Sequence, residues 1–384
     1  MLLVVFFGAG IPVALFSCGY RLNPGTFEVT RSGGIYIRST PSDAKIYIDG
    51  KPTKNDSGIL SSGTFINGLT PGKYILEVQK DGHYPFTAKA EVRPLQVDSF
   101  EKVILVPDKY ESLFTEDITD LHVGYGQIIT TDRAGKLRYN SQIITGDHFE
   151  FFVTDGKSVV TSVMRESGKV YFHVSLANPK ASTNINDIFW TLKSSKLKLP
   201  GEVSVQAISP HPFDKDKFII STKASIYVVD IKQLSISQNG EGTSRIIKEG
   251  SSIYMIREDS LDSYNVTLRT SSPVIGIKDA DKISVSPNGR KIAILWKSSV
   301  LEIYDTDTKR SLRFDISDIG YINDLFWHKT SAHMFLTAGS DLYFAHVEKE
   351  GLSPQKIYEG MTKAIYSDGQ LYVLSNKEVK TLKF

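Results

Sequence analysis

Over much of this chain apolar and polar residues alternate with a period of two, the pattern of half-buried β-strands. Ile35/Ile37 and Ile46/Ile48 alternate with polar or aromatic neighbours, and Tyr74, Leu76 and Val78 restart the pattern. Turn chemistry separates these runs. Asp49-Gly50 predicts a tight hairpin, because primed turns need positive φ, and Pro71-Gly72 predicts a second turn. Residues 34–108 read as a small antiparallel β module.

From about Lys109 onward short apolar runs recur behind turn clusters, and no long amphipathic helix stands out. Ser286-Pro287-Asn288-Gly289 leads into Lys291–Trp296 and Val300–Asp305. His328-Lys329-Thr330-Ser331 leads into residues 334–337 and 341–345, and Ser367-Asp368-Gly369 into 371–374 and 379–382. Earlier copies open at Thr154-Asp155-Gly156, Ser209-Pro210-His211-Pro212 and Glu249-Gly250-Ser251. The later copies lie about 40 residues apart, the period of four-stranded propeller blades. Residues 109–384 are therefore expected to form a β-propeller of about seven blades, with six allowed and two packed β-sandwiches as the alternative. The ends Val228-Val229-Asp230 and Ile303-Tyr304-Asp305 resemble the strand ends of WD-type repeats, without the full Gly-His and Trp-Asp signature. Trp190, Trp296 and Trp327 are expected between blades as core.

The first module carries a more specific likeness. The order Pro41-Ser42-Asp43-Ala44, Ile46-Tyr47-Ile48-Asp49-Gly50, Leu69-Thr70-Pro71-Gly72-Lys73-Tyr74 and Gly82-His83-Tyr84-Pro85-Phe86 resembles a PEGA domain. Residues 55–66 depart from the family pattern, and Phe86 replaces a common Trp. The resemblance implies an exported or surface module that contacts envelope components.

Ahead of it the pattern changes. Residues 2–19, LLVVFFGAGIPVALFSCG, carry no charge. A helix of that length spans about 27 Å, close to the ~30 Å hydrocarbon core. A transmembrane signal anchor is expected over 1–21, with Tyr20 and Arg21 at its interfacial edge, followed by a linker over 22–33. Arg21 and Arg31 follow the run and nothing basic precedes it, which by the positive-inside rule alone would leave the bulk in the cytoplasm. Residues 17–22 instead resemble the end of signal anchors that precede PEGA modules in bacterial envelope proteins, which places the domains outside. Leu15-Phe16-Ser17-Cys18 partly matches a lipoprotein cleavage box, so Cys18 is a candidate lipidation site beside the uncleaved anchor.

Composition adds mainly exclusions. A net charge of +2 on 384 residues provides no field to recruit nucleic acid. With Cys18 the single cysteine, no intramolecular disulfide or multi-thiolate metal site can form. The eight histidines are scattered; His328 and His333, the nearest pair, read as turn or surface residues. The pairs Asp117/Asp120, Asp214/Asp216, Asp279/Asp281 and Asp305/Asp307 lack the further ligands of a calcium loop and read as Asx turns. No nucleophile elbow, phosphate loop or zinc-protease helix occurs. No catalytic, cofactor-binding or metal residue is assigned, and ligand contacts stay unknown. The sequence thus points to a membrane-held, extracytoplasmic, non-catalytic binding or scaffolding protein whose partners are the membrane and an envelope protein or glycan. The alternative is an envelope polysaccharide- or peptide-processing enzyme with its site at the propeller mouth.

Overall fold

The computed structural model describes residues 13–14, 16–17, 19–22, 29–56, 63–140, 142–145, 150–166, 168–199, 204–243, 245–347 and 352–384. They fall into two compact units, one comprising Met1–Lys109 with Ser353–Ile357, the other Tyr110–Leu352 with Tyr358–Phe384.

In the first unit two sheets face each other. One has the order Thr64–Leu69, Gly33–Thr40, Val97–Ile104, and the other the order Lys51–Thr53, Lys45–Ile48, Gly72–Gln79, Phe86–Val92. The period-two residues Ile35, Ile37, Ile46, Ile48, Leu76 and Val78 all point between the sheets and are buried with Phe86, Phe100 and Val103. The hairpin at Asp49-Gly50 has φ of 49° and 71°, as a primed turn requires, and the Asp49 carboxylate accepts from the Ile75 amide at 2.8 Å. One feature departs from the purely antiparallel expectation: Gly33–Thr40 pairs in parallel with Val97–Ile104. Gly34 is required there by space rather than by φ. A Cβ at that position would lie 2.8 Å from both the Ile66 carbonyl and the Phe65 ring.

In the second unit the described strands form seven four-stranded antiparallel sheets. Most use strands consecutive in the chain, such as Ala280–Val285, Lys291–Trp296, Val300–Asp305 and Arg310–Asp315. One combines Glu111–Thr115 with the three last strands, Lys363–Ser367, Gln370–Ser375 and Glu378–Lys383. This corrects the expected propeller. Among the described residues pairing closes within each sheet, no ladder passes from one to the next, and the sheets stand separate. The repeat of about 40 residues measures the length of four short strands and their turns; it carries no information on how such sheets are arranged. Apolar clusters fill the spaces between them. Trp327 is buried in one, its indole N–H donating to the Ser284 carbonyl of another sheet at 3.2 Å. Trp190 and Trp296 are only partly buried against their clusters.

The expected transmembrane helix is corrected too. Among the described residues no helix is long and apolar enough to cross a membrane. Most of 1–21, Cys18 included, lies outside the described residues, and Tyr20–Leu22 forms a strand paired with Val29–Arg31, inside the stretch expected as a linker. Ile185–Lys196 is an α-helix of 12 residues, about 18 Å long. Asn184 caps it by accepting from the Asp187 amide, and Ile185, Phe189 and Leu192 turn one stripe onto Tyr171, Phe218 and Tyr227.

Candidate functional site

Two clusters in the second unit join polar side chains from separate strands. The first begins with a bulge. In an unbroken strand Ile118 and Leu121, three apart, would face opposite sides of the sheet. The register of Ile118–Gly124 shifts between Ile118 and Asp120, which turns both apolar residues inward and leaves Asp120 and His122 on the other face. Lys363, from the edge strand Lys363–Ser367 of the sheet that also holds Glu111–Thr115, meets them there. Asp120 Oδ2 accepts from His122 Nε2 at 2.8 Å, and Asp120 Oδ1 accepts from Lys363 Nζ at 2.5 Å and from the Leu121 amide at 2.8 Å. The His122 ring lies 4.1 Å from that of Phe151 in a third sheet. Burial alone would raise the Asp120 pKa, but the hydrogen bonds and charges of His122 and Lys363 outweigh it and hold the carboxyl well below the usual range. Lys363 Nζ also lies 3.2 Å from His122 Nε2. The carboxylate therefore remains ionised and ties the two sheets together.

The second cluster corrects the sequence reading of the histidines. His328 and His333 are buried, and His346 joins them. Thr330 Oγ1 lies 3.0 Å from His328 Nδ1 and 2.7 Å from His333 Nδ1, and His333 Nε2 lies 3.1 Å from His346 Nδ1. The Thr330 amide donates to His328 Nδ1 at 3.3 Å, so the neutral ring carries its proton on Nε2. That atom is buried and has no hydrogen-bond partner among the described residues. Around the His328 ring stand Phe335, Phe344, Tyr366 and Phe384, with centroids 4.9 to 6.3 Å away. Burial, helped by the nearby Lys329 charge, lowers the His328 pKa to about 4, and burial pushes the Tyr366 hydroxyl up to about 12. No sequence signal marked this chain, because His328 and His346 are 18 residues apart and meet only through strand pairing.

The paired aspartates divide. Asp214 and Asp305 accept from the amides two residues on, at 3.1 Å each, as Asx turns. Asp120 belongs to the ionic cluster instead. Among the described residues no group of three or more His, Cys, Asp or Glu side chains is placed to hold a metal ion. Glu249 is the carboxyl that burial raises, and it lies on a strand apart from both clusters.

No curated protein matches the chain. Residues 32–105, the two-sheet unit with its Asp49-Gly50 hairpin, match the PEGA domain, which marks that part of the chain as a binding-type or extracytoplasmic module.

Proposed function

We propose that this chain is a non-catalytic binding or scaffolding protein of the cell envelope, lying outside the cytoplasm and presenting both units to a protein or glycan partner. The PEGA match over 32–105 carries the reading.

Protease accessibility in wall-permeabilised cells, with a cytoplasmic marker kept intact, tests the address. Digestion of the second unit is expected; its protection, with an exported control cleaved, would place the protein in the cytoplasm and overturn the reading.

A further inference from the structure

In the second unit a cavity of about 260 Å³ opens between the sheet containing Ala280–Val285 and the one beginning at Ile322–Trp327. Its chemistry is set by Asp281, Trp296, Lys297, Gly320 and Tyr321. Tyr321 leaves 69% of its surface in water. A ligand that covers this ring gains roughly 25 cal/mol per Å² of apolar surface removed from water. The Tyr321 hydroxyl reaches Asp281 Oδ2 at 3.4 Å, a long contact, and no described residue donates to Asp281 Oδ1. The Trp296 indole N–H already donates to Glu302 Oε2 at 3.0 Å, so the cavity receives ring surface from Trp296. Lys297 keeps a loose pair with Asp279 at 3.5 Å, both side chains 69% exposed. Gly320 leaves the rim open, since a Cβ there would meet nothing within 4 Å.

These features select among ligand classes. Asp281 disfavours an anion, Lys297 supplies a donor beside it, and an apolar side chain would leave the Asp281 carboxylate without a donor. A sugar ring meets all of them: its C–H face covers an aromatic ring, and its hydroxyls both donate to a carboxylate and accept from an ammonium. The volume falls just below the ~300–1,000 Å³ of sites that enclose a whole small molecule, and suits one unit of a longer chain.

We propose that this cavity binds a single sugar unit of a neutral glycan, ring face on Tyr321, hydroxyls on Asp281 and Lys297. The inference rests on the binding reading above and chooses the glycan over the protein partner.

The test uses the full chain on an array of neutral, N-acetylated and acidic oligosaccharides, followed by calorimetric titration with the neutral oligosaccharide retained most strongly. Retention of a neutral sugar is expected. Tyr321→Ala should weaken it roughly tenfold, and Tyr321→Phe by no more than about threefold. Because Tyr321 is exposed, both variants should melt with the parent. Retention of acidic sugars only, unchanged affinity in Tyr321→Ala, or no retention at all would overturn the proposal. A chain digested outside the cell that retains an envelope protein but no sugar would sink this site and leave the envelope reading standing.

Discussion

The two units are built from the same strands and turns, yet they differ in where their information lies. In the first, local chemistry sets almost everything. Asp49-Gly50 fixes a turn, the turn fixes the register of Lys45–Ile48 against Lys51–Thr53, and the register points Ile46 and Ile48 inward. In the second, local chemistry builds each sheet and then stops. What remains is decided by contacts between sheets, such as Trp327 to Ser284 and Lys363 to Asp120. Motifs are therefore readable in one unit, whereas in the other the important groups meet across long separations.

The largest expected effects test whether both cores are equally close-packed. Leu76 in the first unit and Phe335 in the second are fully buried. Leu76→Ala should cost about 2–5 kcal/mol and Phe335→Ala about 3–5 kcal/mol in denaturant unfolding, through lost burial and the cavity left behind. A loss near 1 kcal/mol at either site would mean that the core there collapses around the gap. It would make that unit the looser of the two.

Acid should separate the units next. His328 is buried neutral with its pKa lowered to about 4, whereas in the unfolded chain it titrates near the ordinary 6.5. Its contribution is complete above about pH 6.5 and is lost as pH falls toward 4, where the unfolded chain binds the extra proton. The loss is on the order of 3 kcal/mol if that shift is realised in full. Hydrogen exchange at pH 7 and pH 4.5 should show the strand His333–Ala338 losing more protection than Gly72–Gln79. His328→Gln should flatten the difference. Equal losses in the two strands would remove the histidine chain as the cause.

The third contrast concerns glycine. Gly34→Ala drives a methyl group into the Ile66 carbonyl and the Phe65 ring and should cost about 1–3 kcal/mol as overpacking. Gly126 has φ of +71° and open space around it, so Gly126→Ala meets only the backbone penalty of about 1 kcal/mol. Melting of the two variants orders them. The reverse order would mean that Phe65, half exposed, swings aside freely.

The legibility of the fold follows the same line. The inward faces of Ile35, Ile37, Leu76 and Val78 and the turn at Asp368-Gly369, with φ of 51° and 80°, could be read from the sequence because neighbours a few residues away dictate them. The parallel pairing of Gly33–Thr40 with Val97–Ile104 could not, since strand alternation is blind to direction. The helix Ile185–Lys196 carries a helical stripe in Ile185, Phe189 and Leu192, but 12 residues among strand-like runs are too few to stand out by periodicity. His328 looked like a turn residue because it is one; its burial comes from Tyr366 and Phe384, which the chain reaches only near its end. The Asp120 cluster depended on a one-residue bulge and on a lysine 243 positions away, neither of which leaves a mark in spacing.

That cluster gives the smallest expected effect and the sharpest use of it. Asp120 and Lys363 are 39% and 31% exposed, so solvent screens their attraction and the pair should contribute less than about 1 kcal/mol. Its pH dependence is still diagnostic. The Asp120 pKa is depressed in the folded state, so the contribution is present above the ordinary carboxylate range and fades as pH falls through and below it. Asp120→Asn should therefore weaken stability slightly at pH 7 and make the remaining decline below pH 4 shallower. Lys363→Met should do the same while leaving His122 on Asp120. A double-mutant cycle with both changes isolates the Asp120–Lys363 term, and salt should shrink it. If the cycle gives no coupling, the clamp between these sheets contributes nothing to stability. Asp120 and His122 would then be better explained as groups kept for a ligand on this face.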